Sequence, residues 1–330
     1  MGFVAVALLA FFFRGADWGA IGRSLAEADL GLLTLAVAFV MVSYLLRAVR
    51  WQVLLKPIGM AHLGACFATT VIGFMFNFIA PSGRVGEVVR PYLLARREGF
   101  SASAAFATIF LERVFDLVTV ILLVGVWLLL GSPPEGAKSA TAIQSLKVGG
   151  MTAFLGAIFG LAIMFGFVKY RERAMAFAHF FIRWLPTRLE AMAMRFISSF
   201  GEGLGVLADV GNLARIGILS VILWLNISLV LWLGMSAFEI HLSFGATFLV
   251  LGFLVVGVAV PTPGAVGGYH LMFSLALTLL FGVDESRSQA AALVNHAIAF
   301  LPVTVLGLVL FVREGLSLKE VKTLESAGGG

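Results

Sequence analysis

Residues 63–87 read LGACFATTVIGFMFNFIAPSGRVGE, and residues 245–268 read GATFLVLGFLVVGVAVPTPGAVGG. Each is an apolar run that ends in a cluster of proline and glycine. A helix needs ~20 apolar residues to cross ~30 Å of hydrocarbon. Such a cluster stops it short, because proline has no amide to donate and glycine leaves the backbone free to turn. Around these two segments the apolar runs are unbroken, at 2–13, 30–49, 102–130, 149–168, 212–233 and 288–312. The 330 residues are 60% hydrophobic and 12% charged, with a mean hydropathy of +1.03. A soluble domain carries ~25% charged residues and would have nothing with which to cover these runs. The alternating segments of a transmembrane β-barrel do not occur. The chain reads as an all-α polytopic membrane protein with about six spans.

Lysine and arginine mark the cytoplasmic ends of spans. Arg47, Arg50 and Lys56 mark one cytoplasmic loop, the cluster from Lys169 to Arg195 marks another, and Arg313, Lys319 and Lys322 place the C-terminus inside. The loops 131–147 and 234–244 are poor in positive charge and fall outside, the first as a plain turn containing Pro133 and Pro134. These sides are consistent only if residues 63–99 enter and leave from the cytoplasm while 245–287 enter and leave from outside. The expectation is two re-entrant hairpins of opposite orientation. In 169–200, basic residues alternate with Phe177, Phe180, Phe181 and Trp184, which suits an amphipathic helix on the cytoplasmic surface; a solvated linker is the alternative. Residues 2–13 precede Arg14 without a charged leader, and read as a short or truncated first span rather than a signal peptide. Arg47 and Arg50, at a span end, read as snorkelling to headgroups.

The two breaks share Gly-x-Val-Gly, at Gly83–Gly86 and Gly264–Gly267, offset by 181 residues. The same offset carries Trp51 onto Trp232, 30–49 onto 211–230 and 102–130 onto 283–311. An internal duplication follows, and the opposite orientations make it an inverted repeat, an architecture in which broken helices at matching positions point to a midplane binding site. The expected organisation is one integral membrane domain over 1–330. Its first unit is 30–130, a connecting span and amphipathic helix take 131–211, the second unit is 212–312, and 313–330 form a cytoplasmic tail. Glycines that only permit tight packing, or surface loops, are the alternative.

The first break carries Asn77, Ser82, Gly83, Arg84, Glu87 and Arg90. A helix starting near Val85 would add free amides to the two cations, a combination that binds anions; an ordinary basic loop on headgroups is the alternative. Glu112, Arg113 and Asp116 lie well inside 102–130. A charge in a span costs at least ~2.5–3.5 kcal/mol, so three together must face a polar interior and pair, as a functional cavity or as a structural ion pair. In the second unit Pro263 and Gly264 form the break, His270 follows it, and Asn295 and His296 sit in the last span. The histidines suit proton relay or donation to a phosphate, or plain packing.

Catalytic, nucleotide-binding and metal motifs are absent, and neither cofactor nor metal is expected. The single cysteine, Cys66, excludes an intrachain disulfide and reads as a buried small residue. The net charge of +5 follows the span flanks, so nucleic acid is excluded as a partner.

The stretch Arg50-Trp51 with Leu54-Leu55, then Phe78 to Glu87 with Arg90, then Glu112-Arg113 with Asp116, resembles the lysylphosphatidylglycerol synthase transmembrane-region family, also called flippase-like or UPF0104. Pro261 to Gly264 fits its second signature, while His270 and His296 depart from its pattern. The resemblance covers nearly the whole chain. It implies a flippase-like domain of the kind that translocates aminoacylated phosphatidylglycerol, without the aminoacyltransferase that the family's name refers to. The expectation is a non-enzymatic protein of the bacterial inner membrane, multi-pass, that binds and translocates an anionic phospholipid or a lipid-linked substrate. Its partners would be membrane lipids, with room left for a homo-oligomer. A membrane-embedded transferase and a membrane scaffold are the alternatives.

Overall fold

Side-chain caps set where the helices begin. In the computed structural model, Asp17 accepts from the Ala20 amide, Asp29 from Gly31 and Leu32, Asp209 from Asn212 and Asp284 from Arg287. A carboxylate here satisfies first-turn amides that have no partner within the helix. The structure describes residues 2–80, 84–130, 137–260 and 262–315, and among them thirteen α-helices and no strand. They are α1 (Gly2–Phe12), α2 (Trp18–Glu27), α3 (Leu30–Leu55), α4 (Leu63–Ile79), α5 (Gly86–Glu98), α6 (Ala102–Leu130), α7 (Ala137–Lys169), α8 (Arg171–Ile182), α9 (Thr187–Gly203), α10 (Val210–Ser236), α11 (Thr247–Ala259), α12 (Gly268–Phe281) and α13 (Glu285–Arg313).

Six stretches are long and apolar enough to cross a membrane: α3, α6, Lys147–Lys169 of α7, α10, Pro263–Phe281 and α13. Between 12% and 56% of each apolar window is buried by protein. The uncovered remainder carries residues such as Phe110, Leu122, Val126, Phe159, Leu301 and Val305, a surface that only lipid covers without cost. The chain is a multi-pass membrane protein.

Four expectations from the sequence change. The run 2–13 forms an α1 of 11 residues, ~16 Å long and too short to cross. It packs on α12, and its Phe12 carbonyl accepts from Gln289 Nε2 at 2.8 Å. The turn drawn at 131–147 is helical from Ala137 onward; residues 131–136 lie outside the described residues. The single amphipathic helix over 169–200 is two helices, α8 and α9, packed on each other. They divide at Pro186, whose ring and missing amide cannot continue a helix. Trp18–Glu27, unassigned in the sequence, is a helix capped by Asp17.

The core is built from helix pairs. The α3–α10 pair crosses through its middle, tied by Asn226 Nδ2, which donates to the Phe39 carbonyl at 2.9 Å and to Ser43 Oγ at 2.7 Å. On either side of it, α4 packs on α5 and α13, and α11 packs on α12 and α6. The two short pairs close on glycines. A Cβ on Gly86 would collide with the Gly73 carbonyl, and one on Gly268 with the Gly257 carbonyl. Backbones in apolar surroundings approach this closely only where side chains are minimal. The sequence match set Gly267 opposite Gly86, but the helix start and the close approach belong to Gly268; Gly267 is an extra residue at φ +87°.

Gly86→Ala and Gly268→Ala should each lower the thermal midpoint of the purified protein in detergent, by the ~1–3 kcal/mol typical of overpacking. Gly125→Ala, whose added methyl meets open space, should not. Unchanged melting of the Gly86 and Gly268 variants would remove the glycine crossings as determinants of the fold.

Candidate functional site

Arg50 lies five residues inside the end of α3, because Trp51 to Leu55 extend the helix beyond it. It is fully buried. Its Nη1 donates to Asp116 Oδ1 at 2.7 Å and to Ser220 Oγ at 2.9 Å, and its Nη2 stands 3.5 Å from Glu112 Oε1. The same Glu112 oxygen accepts from Arg90 Nη1 at 3.0 Å and from Arg113 Nη2 at 2.7 Å. Arg90 is buried with its guanidinium over the Trp51 ring, 3.8 Å from the centroid, and Trp51 Nε1 donates to Thr108 Oγ1 at 2.9 Å. The network joins α3, α5, α6 and α10, and brings Arg50 and Arg90 against Glu112 and Asp116. The snorkelling expected of Arg50 does not occur.

A second layer opens from this network into a cavity of about 560 Å³. Its charged wall is Arg47, Arg84, Glu87, Arg113 and Asp116. Arg47 Nη1 and Arg113 Nη1 both approach Asp116 Oδ2, at 3.8 and 3.6 Å, and Arg113 Nε lies 4.0 Å from Glu87. Trp224 Nε1 donates to Asp116 Oδ1 at 2.9 Å. Arg84 is exposed and has no hydrogen bond or ion pair among the described residues. The apolar wall comes from α10 and α11, with Leu231, Leu251, Leu254, Val255 and Val258, and from Tyr269 and Phe300.

Of the residues singled out in the sequence, Asn77, Arg84, Glu87, Arg113, Asp116 and Asn295 line this one cavity. The side-chain oxygens of Asn77 and Asn295 have no hydrogen-bond partner among the described residues. Arg90 and Glu112 stand behind the wall, in the network. Ser82 and Gly83 lie outside the described residues. Pro263, Gly264, His270 and His296 do not line the cavity, although their neighbours Thr262 and Ala265 do. The two histidines hold the second break: His296 Nε2 donates to the Gly264 carbonyl at 2.8 Å, and His270 Nδ1 accepts from the Gly267 amide at 3.3 Å. Gly264, at φ +59°, lies against the Phe78 carbonyl at the end of α4, so the second break touches the helix that leads into the first.

Sequence reading missed Arg47, Arg50, Tyr44, Ser220 and Trp224. The signal for Arg50 was present in Leu54-Leu55, which prolong the apolar helix past it. No local signal marks Ser220 or Trp224, which reach the network only through the α3–α10 crossing. No group of three or more potential metal ligands occurs among the described residues.

Residues 2–307 match the family model described as lysylphosphatidylglycerol synthase TM region. The chain is 25% identical over 320 residues to a protein of Haloferax volcanii named glycosyltransferase AglD; the match covers 89% of this chain and 50% of the relative, so the chain spans about half that protein's length. It is 27% identical over 300 residues to a UPF0104 membrane protein of Methanothermobacter thermautotrophicus, covering 86% of this chain and 84% of the relative. A second UPF0104 membrane protein of that organism is 24% identical over 315 residues, covering 92% and 91%.

Arg50→Ala leaves Asp116 and Glu112 short of a buried partner, and should cost ~3–5 kcal/mol of stability. Arg84→Ala, on an exposed side chain, should stay within ~0.5 kcal/mol. Equal stability of the two variants in denaturant titrations would show that the network does not hold the helices.

Proposed function

The chain belongs to the lysylphosphatidylglycerol synthase TM region family, and from that premise we propose that it binds an anionic phospholipid or lipid-linked substrate and moves it between leaflets. One observation carries the reading: the same cavity has an arginine-rich wall and an apolar wall, which is the polarity pattern of a lipid. Arg47, Arg84 and Arg113 would receive the headgroup, and the α10–α11 wall would accept the proximal part of the chains.

The proposed topology is an inverted repeat with two re-entrant hairpins. Its units are 30–130 and 212–312, joined by 131–211 and followed by a cytoplasmic tail at 313–330. In support, α4, α5 and α11 have 17, 13 and 13 residues, ~20–25 Å each and shorter than the hydrocarbon, while α12 reaches spanning length only together with the turn from Pro263 that precedes it. Their local chemistry also recurs: aspartate caps at Asp29 and Asp209, glycine pairs at Gly73–Gly86 and Gly257–Gly268, and left-handed glycine stops at Gly99 and Gly282. Positive charge places the first hairpin on the cytoplasmic side. Lys56 donates to Asn212, joining the end of α3 to the start of α10, and Arg97 donates to Glu314, joining the ends of α5 and α13, which supports putting these basic ends on the cytoplasmic side with the C-terminus. The membrane is assigned as the plasma membrane, the bacterial inner membrane in a bacterial host.

A second reading, a transferase on a lipid-linked substrate, is favoured by the name of the Haloferax relative. Against it, Glu112 is fully buried beneath three arginines, which leaves Asp116 and Glu87 as the cavity's carboxylates, both beside cations.

The protein reconstituted in vesicles should accelerate leaflet exchange of labelled phosphatidylglycerol, and Arg84→Ala with Arg113→Ala should reduce that rate at least ~tenfold, the scale of one lost charge-assisted contact pair. Unchanged exchange in the double variant would sink the site. A covalently modified lipid after incubation would favour the transferase.

A further inference from the structure

The charges around the cavity do not cancel. Every charged side chain in its lining or directly behind it comes from α3, from α5 and the residues just before it, or from α6. Those side chains are Arg47 and Arg50, then Arg84, Glu87 and Arg90, then Glu112, Arg113 and Asp116. The lining contributed by α4, α10, α11, α12 and α13 is uncharged, and the nearby histidines do not line the cavity and each give one ring nitrogen to the second break. Five arginines stand against three carboxylates, so two positive charges remain around the cavity.

The surplus faces the cavity. Behind the wall, Arg50 and Arg90 already share Glu112 and Asp116. In the wall, Arg47 and Arg113 converge on one oxygen, Asp116 Oδ2. Arg47 Nη1 and Arg113 Nε have no hydrogen-bond acceptor among the described residues, as is also true of N–H groups on the buried Arg50 and Arg90, and Arg84, on the cavity wall, has no hydrogen bond or ion pair there. Unpaired charge in low dielectric is costly, and guanidiniums meet phosphate oxygens through paired N–H groups. An ordinary phospholipid is a phosphodiester with one negative charge, and it would leave one cation uncompensated. A terminal phosphate has about −1.5 to −2 charge at neutral pH and three free oxygens, which matches both the surplus and the three arginines.

We infer that the ligand of this cavity carries a terminal phosphate monoester, a lipid phosphate in which the headgroup ends at phosphorus, rather than a phosphodiester. The inference rests on the lipid reading above and narrows its substrate class. The aliphatic wall from Leu251 to Val258 assigns the phosphate to a lipid rather than to free phosphate.

The full chain in detergent is titrated with phosphatidate and with phosphatidylglycerol of the same acyl chains, and inorganic phosphate is added as competitor. At pH 7.5 phosphatidate should bind at least roughly tenfold more tightly. That preference should shrink at pH 5, where the monoester has regained its second proton (second pKa about 6), and it should shrink at pH 7.5 in Arg84→Gln, which removes one of the two surplus charges. Equal affinity for the two lipids at pH 7.5 overturns the monoester assignment and leaves the lipid reading standing. No binding of either lipid overturns both. Inorganic phosphate that displaces phosphatidate at equal concentration overturns the lipid as the source of the dianion.

Discussion

Charge within hydrocarbon must be paired where it lies, and in this protein that requirement converges on Arg50. Its guanidinium has no exposed surface and reaches Asp116, Ser220 and the edge of Glu112. Removing α3 or α6 would strand an ion in low dielectric, and α10 adds the neutral partners Ser220 and Trp224, so the network constrains how these helices meet. Arg90, brought in by α5, closes the same network and rests on Trp51. The inner charges pair with one another, while Arg47, Arg84 and Arg113 border the cavity.

The second constraint is backbone. A break in a helix frees amides and carbonyls that lipid cannot satisfy. The second break solves this internally: the His296 ring donates to the Gly264 carbonyl, the His270 ring accepts from the Gly267 amide, and Thr262 Oγ1 donates to the Val266 carbonyl at 3.0 Å. α1 lies over it, with Leu8 and Ala5 packed against Gly267. The two histidines, chemically versatile in isolation, are here occupied as supports for the turn. The two breaks therefore differ in kind, one bordered by ions facing a cavity and the other sealed by uncharged hydrogen bonds.

The family match and the geometry bear on different questions. The match places the chain among membrane proteins whose names range from a synthase region to a glycosyltransferase, and so it does not select a chemistry. The geometry speaks to ligand polarity, through one wall of arginines and another of aliphatic side chains.

The sequence by itself determined the class of the protein. Apolar length, charge scarcity and proline–glycine clusters are one-dimensional properties, and they located α6, α10, α13 and both breaks to within a few residues, while α3 runs to Leu55 rather than 49 and α7 begins at Ala137 rather than 149. It also gave the charged candidates Arg84, Glu87, Glu112, Arg113 and Asp116, because a charge in an apolar run stands out without any fold. It failed where the deciding partner is distant in the chain. Arg50 looked like a residue bound for the headgroups, since its partners lie 66 and 170 residues away in α6 and α10. His270 and His296 looked alike in depth and chemistry to groups that meet a substrate, and only the path of the second break shows them spent on backbone. Tertiary structure alone decided which charges are consumed in pairing and which remain to face the cavity, because pairing depends on which helices touch, and hydropathy does not encode that.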